Sequence, residues 1–245
     1  MAYALATEGS QLILSSRSEP ELLRVKNNCK ISEDNILLLS FDLQEISNVN
    51  ELAKKAIEKF SRIDILINNG GISQRSYATE TPLEIDRKIM EVNFFGAVAL
   101  TKAVLPYMVK QKSGRIVVVS SISGKFGFYL RSGYSAAKHA LHGFFESLRM
   151  EVAKDNIQVL LVCPGKVKTN ISLNALTASG KQHGIMDRSQ EQGVSAEACA
   201  YQIIQAIKNN KEEIYIGHFN GRLALFVKRI FPGLFSKIIR RQKQE

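Results

Sequence analysis

Apolar residues fall along the chain in short unbroken runs, each closed by turn-forming residues and followed by a longer stretch in which apolar positions recur every three or four. QLILS (11–15), NILLLSF (35–41), IDILI (63–67), RIVVVS (115–120), IQVLLV (157–162) and EIYIG (213–217) have the length and β-branched character of strands. The runs are continuously apolar rather than alternating, as expected of strands covered on both faces. Between them the helical period predicts helices over about 19–28, 47–60, 82–111, 133–154 and 195–209. Strand and helix alternate throughout, which predicts an α/β fold: a doubly wound parallel sheet with helices on both faces.

Ahead of the first strand, MAYALATEG has the pattern of the closing turns of an amphipathic helix that stops at Gly9. A helix without a strand before it breaks the alternation seen elsewhere.

At 245 residues and 45% hydrophobic content the chain is long enough for one well-buried domain. No repeat, low-complexity tract or linker divides it, so 1–221 is read as one domain and 222–245 as a tail. Cys29, Cys163 and Cys199 are odd in number and far apart. That argues against a disulfide framework and a structural zinc site, and for reduced thiols in the cytoplasm. No apolar run reaches the ~18 residues that a bilayer span needs. The net charge of +10 is uneven: from Arg222 onward there are seven Lys or Arg (Arg222, Lys228, Arg229, Lys237, Arg240, Arg241, Lys243) against one Glu, so six of the ten charges lie in the last 24 residues.

The sharpest chemical signal is YSAAK, Tyr134 to Lys138, near the start of a predicted helix. Residues four apart share a helix face, so phenol and ammonium point the same way. A cation held beside a phenol stabilises phenolate and lowers a pKa that is otherwise near ~10, which fits the tyrosine for proton exchange with a substrate oxygen. Ser121 stands just past the RIVVVS strand, where a parallel sheet presents its ligand-facing loops. NNGG (Asn68 to Gly71) follows the IDILI strand at the equivalent end, and Asn93 lies in MEVNFFGAV of the long helix.

Taken together, in this order and spacing, these motifs resemble the short-chain dehydrogenase/reductase family, and the resemblance covers the chain from its first helix to EIYIG. It implies a Rossmann-like sheet and a catalytic set of Asn93, Ser121, Tyr134 and Lys138. Tyr134 would be the general acid/base and Ser121 would hydrogen-bond the substrate oxygen. Lys138 would hold the nicotinamide ribose and lower the tyrosine's pKa, and Asn93 would fix a water that continues the proton relay. The chemistry is consistent, because hydride transfer to a carbonyl leaves an alkoxide that needs a nearby donor and a proton source.

Cofactor groups carry over likewise. Asn69 and Gly70 of NNGG would approach the adenine ribose, Asp42 and Leu43 of FDL would meet the adenine, and CPGKVKT supplies Pro164, Gly165, Val167 and Thr169, of which the last two would hold the carboxamide. At the end of the first strand here, LSSRS places Ser16 and Arg17 where NAD-dependent members carry an acid. NADP(H) is therefore expected over NAD(H), with Arg17 receiving the 2′-phosphate.

Family members open with a strand and a glycine-rich TGxxxGIG turn that lead into a helix resembling MAYALATEG. The expectation is that Met1 is an internal residue of a longer protein and that roughly 15–20 residues, a first strand and a pyrophosphate-binding turn, are missing from this chain. The implied function is an NADP(H)-dependent oxidoreductase interconverting a carbonyl and a secondary alcohol, with weak activity for this chain by itself. The rival is a non-catalytic scaffold or membrane-surface protein built on the same fold.

Other residues read as structure. His139 and His142 have no carboxylate or cysteine at ligand spacing, His183 and His218 stand alone, and no metal is expected. Cys163 reads as buried packing. Phe94, Phe95, Leu100, Phe144, Phe145 and Leu148 exceed what one core face needs and suggest a homodimer or homotetramer. The tail alternates bulky apolar residues with cations around Pro232 and Gly233, a composition suited to peripheral membrane contact. Nucleic acid is not expected, for want of an aromatic platform between the cations. The polar segment after Thr169 reads as a lid, and Ile171, Leu173, Leu176 and Ile185 as an apolar lining for a small-molecule carbonyl or alcohol substrate, a medium-sized lipophilic one rather than a sugar.

Overall fold

The computed structural model describes residues 1–217 and 219–240, without the side chains of 219, 220 and 222. The His218, Arg222, Arg241 and Lys243 side chains singled out above lie outside the described residues.

Each apolar run forms a strand, shifted by a residue or two from its predicted bounds: β1 (Leu12–Ser16), β2 (Ile36–Ser40), β3 (Ile65–Asn68), β4 (Gly114–Val119), β5 (Ile157–Pro164) and β6 (Glu213–Ile216). All pairings are parallel, in a two-stranded sheet β1-β2 and a four-stranded sheet β3-β4-β5-β6. Among the described residues no ladder joins the two sheets, so β1 and β3 each end one. Parallel pairing brings the C-terminal ends of the strands to one side, and the residues just past those ends are the ones with candidate chemistry.

Helices α1 (Ala2–Thr7), α2 (Glu19–Asn28) and α3 (Val49–Phe60) surround the first sheet. Side-chain oxygens at caps set some of the boundaries: Ser18 accepts from Glu21 N at the start of α2, and Ser195 from Ala198 N at the start of α8 (Ala196–Lys208). The long helix expected over 82–111 is present but not uniform. It runs as α4 (Leu83–Met90), a π-turn over Glu91–Phe95, and α5 (Gly96–Gln111). Such a bulge re-aims the residues it contains, and Asn93 is one of them.

That stretch also corrects the expectation that nothing in the chain is long enough to span a bilayer. Leu83–Gln111 meets the length and hydropathy of a membrane span, although charged and polar residues interrupt its apolar positions. Half of its most apolar window is buried, since α5 packs on α3, β3 and β4 as a core helix.

The main core gathers Met108 of α5, Ile116 and Val118 of β4, Leu161 of β5 and Leu141 and Phe145 of α6 (Ser132–Val152). Phe145 and Leu148 thus belong to the interior, not to a spare surface. The tail is helical on both sides of the break, as α9 (Phe219–Ile230) and α10 (Pro232–Arg240); the short α7 (Arg188–Glu191) lies in the segment read as a lid.

Candidate active site

At the strand C-termini lies a cavity of about 950 Å³ whose wall includes Asn69, Ser121, Tyr134, Lys138, Gly165 and Thr169. Ser121 arrives from the end of β4, its hydroxyl accepting from Ser123 N at 3.1 Å. Tyr134 and Lys138 arrive on α6 and are buried, at 7% and 4% exposure. The shared helix face holds, with Lys138 Nζ 5.8 Å from the Tyr134 ring centroid.

The electrostatics differ from the sequence reading. Lys138 Nζ donates to Val119 O at 2.8 Å, and burial brings its pKa down from 10.5 to about 8. Burial pushes the Tyr134 phenol up, opposed by a hydrogen bond with Ser121 and by the positive charges of Arg131 and Arg75. The positive charges of Arg131 and Arg75 favour phenolate at Tyr134, and the Lys138 ammonium, 5.8 Å from the ring centroid, donates to a backbone carbonyl.

Asn93 is 1% exposed, and its carboxamide closes a two-way clamp on one residue: Oδ1 accepts from Ile72 N and Nδ2 donates to Ile72 O, each at 2.9 Å. Its side chain holds the loop after β3. Gly71 is required there, because a Cβ would sit 2.5 Å from Asn93 Oδ1.

The cofactor candidates separate into two groups. Asn69, Pro164, Gly165, Val167 and Thr169 share the cavity wall with the catalytic set, whereas Ser16, Arg17, Asp42, Leu43 and Gly70 do not line it. The second group nevertheless assembles: Arg17 Nη1 is 3.8 Å from Asp42 Oδ2, and a Cβ on Gly70 would meet Leu43 Cδ1 at 2.5 Å. The two groups adjoin at Asn69–Gly70, one residue of which lines the cavity while the other packs on Leu43.

Several side chains around the site escaped the sequence reading. Gln74, with no exposed surface, accepts with Oε1 from Gly133 N at 2.9 Å and Tyr134 N at 3.3 Å, capping α6 from another segment. Its Nε2 is held by Ser76 and Thr81. Arg75 and Arg131 both pair with Asp187, Arg75 through two nitrogens and Arg131 Nη2 at 2.9 Å. The arginines hold Asp187 below the usual carboxylate range although its burial acts the other way. Asp187 belongs to the segment after Thr169, which is docked further by Arg75 N to Leu176 O and Leu176 N to Ser73 O, both 2.8 Å. No local motif marks this cluster; its members are far apart in sequence.

Two expectations are corrected. His142 is not isolated: Nε2 meets Ser120 Oγ at 3.0 Å and Cys163 Sγ at 3.7 Å, and Nδ1 lies 3.5 Å from Glu146 Oε1. With Glu146 and Glu213 it forms a group at metal-ligand spacing, beside which Lys125 Nζ pairs with Glu213 at 3.0 Å. The Glu146 partner is four residues on along α6, a spacing visible in the sequence; Cys163 and Glu213 come from β5 and β6. The proposed lining also changes. Ile171 lines the cavity, but Leu176 is buried against Ile89 and Ala137, Ile185 is exposed, and Leu173 is absent from the wall. Apolar surface comes instead from Phe126, Phe128, Leu223, Val227, Phe235 and Ile238. Cys163 is buried as expected, its thiol pushed up to about 12 chiefly by burial.

With this geometry in hand, comparison with known proteins is informative. A family model described as short chain dehydrogenase matches residues 1–197. A "Dehydrogenase/reductase SDR family protein 7-like" of Anopheles gambiae is 38% identical over 250 residues, covering 100% of this chain and 79% of that protein. "Dehydrogenase/reductase SDR family member 7B" of Xenopus laevis is 39% identical over 237 residues, covering 94% and 73%. Among solved structures, a short-chain dehydrogenase from Streptomyces avermitilis superposes with a TM-score of 0.82 at 27% identity, covering 99% of this chain and 92% of that one.

Proposed function

The chain belongs to the short-chain dehydrogenase family, and from that premise we propose that it is an NADP(H)-dependent oxidoreductase interconverting a carbonyl and a secondary alcohol, with Tyr134 as general acid/base. The family as a whole consists of NAD(P)(H) oxidoreductases that act on small molecules and typically form oligomers. The observation that carries the finer reading is the convergence of Ser121, Tyr134 and Lys138 on one cavity wall.

The residues present fit the nicotinamide and adenosine ends of a dinucleotide. Lys138 lines the cavity with two ammonium N–H donors beyond its bond to Val119 O, and Arg17, 62% exposed at its side chain and 3.8 Å from Asp42 Oδ2, has guanidinium donors left for a 2′-phosphate. Ser16 and Arg17 stand at the strand end where NAD-dependent members carry an acid, which supports NADP(H) over NAD(H). When bound, the nicotinamide supplies or accepts the hydride. A substrate carbonyl oxygen at the Ser121–Tyr134 pair would accept from both hydroxyls. As that oxygen gains negative charge it takes the Tyr134 proton, and Arg131 and Arg75 lower the cost of the phenolate left behind. Asn93 and Gln74 act as positioning residues, one on the loop after β3 and the other on the N-terminus of α6.

The proposal extends to the assembly. Phe95 is 43% exposed, and half-buried Phe94 and Phe144 touch edge to face at 6.1 Å between centroids. This face, where the 91–95 π-turn meets α6, suits a second copy of the chain. Phe226, Ile230, Phe231 and Leu234 of α9 and α10 are half exposed beside Arg229, Lys237 and Arg240, which suits docking on an anionic membrane surface. The three free cysteines support a reducing, cytoplasmic setting. The boundary between the domain 1–221 and the tail 222–245 falls inside α9, whose Leu223 and Val227 line the cavity, so the tail is part of the site's wall.

Turnover of a ketone panel with NADPH and with NADH tests the reading. Tyr134→Phe is expected to lower kcat by about 10²–10⁴ while leaving the fold intact. Full activity in that variant would overturn the acid/base assignment, and NADPH binding without turnover of any ketone would favour the scaffold alternative. Co-sedimentation with anionic vesicles, lost on deletion of 222–245, tests the membrane contact.

A further inference from the structure

The cavity wall is unbalanced in charge. It carries Arg75, Arg131, Lys138 and Lys166 and, among the described residues, no Asp or Glu. Lys138 and Lys166 lie in the segments that would hold the dinucleotide, but Arg75 and Arg131 stand apart from them, next to Tyr134. Behind the wall these two share a single carboxylate, Asp187, which leaves the cluster one positive charge in excess. Its members are largely buried, with side-chain exposures of 5% for Arg75, 20% for Arg131 and 14% for Asp187.

The arginines are not equivalent. Arg75 is committed: it donates to both Asp187 oxygens, to Ser73 Oγ at 3.0 Å and to Gln74 O at 2.6 Å. Arg131 makes one side-chain hydrogen bond among the described residues, from Nη2 to Asp187, and a guanidinium has five N–H donors in a planar fork. Arg131 lines the cavity with its side chain 20% exposed, so its remaining donors are open to an entering acceptor. A fork of this shape matches the paired oxygens of a carboxylate or phosphate.

An apolar track begins at the same residue. The Arg131 guanidinium lies 5.8 Å from the Phe128 ring, Phe128 stacks on Phe126 at 4.9 Å, and Phe126 meets Phe235 of α10 edge-on at 5.1 Å. Leu223, Val227 and Ile238 continue this surface along α9 and α10, and Leu223 and Ile238 are about half exposed where the wall reaches the protein surface. The cavity is cationic at one end and apolar at the other, with Tyr134 beside the cationic end.

We propose that the substrate is an amphiphile whose anionic headgroup, carboxylate or phosphate, is bound by Arg131, and whose apolar chain lies along the Phe128–Phe126–Phe235 row. The carbonyl to be reduced then lies near the headgroup, within reach of Tyr134. Arg131 is a specificity-determining residue and Arg75 its anchor through Asp187. This rests on the oxidoreductase reading for the reaction but not for the binding.

The test is a calorimetric titration of the full chain with decanoate, decyl phosphate and 1-decanol, which share a chain and differ in headgroup. One of the two anions is expected to bind about 10–100-fold more tightly than the alcohol, the usual worth of hydrogen bonds to a charged partner; which anion it is identifies the headgroup. Arg131→Met should collapse that ratio towards one, and Arg131→Lys, which keeps the charge but not the fork, should fall between. Anions that bind no better than decanol, or an unchanged ratio in Arg131→Met, would overturn the proposal. If Arg131→Met does not fold, the wild-type ratio and Arg131→Lys still decide. The titration needs no turnover, so failure of the ketone panel with the anion preference intact would sink the reductase reading alone.

Discussion

Replacing Lys138 with methionine should abolish activity and at the same time remove a penalty on the fold. Lys138 is 4% exposed, donates to Val119 O, and has its pKa brought from 10.5 to about 8 by burial. At about 1.4 kcal/mol per pH unit, that difference means that keeping the ammonium charged in the folded chain costs about 3 kcal/mol at pH 7. Between pH 8 and 10.5 the unfolded chain holds this proton and the folded chain has released it, so stability due to this group rises with pH across that window and is level outside it. Lys138→Met has no such proton. Loss of the bond to Val119 O orphans a carbonyl, at about 1–3 kcal/mol, and offsets part of the gain at pH 7. The difference between variant and wild type is free of that constant term: the variant's relative stability should be about 3 kcal/mol greater at pH 7 than at pH 10.5. Urea denaturation of both proteins at intervals over pH 7–10.5, without cofactor, measures it. A difference that stays flat within about 0.5 kcal/mol, or one that runs the opposite way, would refute the reasoning that burial controls this lysine.

Three further outcomes are expected. Gln74→Leu leaves the N–H groups of Gly133 and Tyr134 without an acceptor in a site with no exposed surface, so urea denaturation should show a loss of at least about 2 kcal/mol, with kcat falling as Tyr134 loses its position. Arg17→Ala should raise the KM for NADPH about tenfold or more and leave that for NADH nearly unchanged, in steady-state assays with either dinucleotide. Cys163, its thiol pushed up to about 12, should resist iodoacetamide at pH 8 in the native protein and react once unfolded, as read by mass spectrometry of the peptide.

Much of the site was legible because its spacing is local. Tyr134 and Lys138 are one helical turn apart, and Ser121, Asn69 and Gly165 each follow a strand whose continuous apolar run announces it; parallel pairing then does the assembly. The wall opposite them was not legible. Arg75 follows β3, Arg131 precedes α6 and Asp187 sits in the segment after β5, so no window of sequence contains the cluster, and its strength comes from burial that exists only after folding. Phe145 and Leu148 were misplaced for a related reason: α6 turns more of its surface inward than one stripe, because α4, the 91–95 π-turn and β5 all pack against it.

The sequence alone determined the order and type of the elements, since the alternation of unbroken apolar runs with helical periods follows from strand and helix geometry. It also determined which side chains stand at the strand ends. Tertiary structure decided how those side chains behave. It turned Lys138 towards Val119, clamped Asn93 on Ile72, brought two arginines to bear on Tyr134, and folded the basic tail back as a wall of the cavity. Desolvation and charge–charge interaction act through space between groups that have no neighbourhood in the chain, so they take their values only once packing has excluded water from between them.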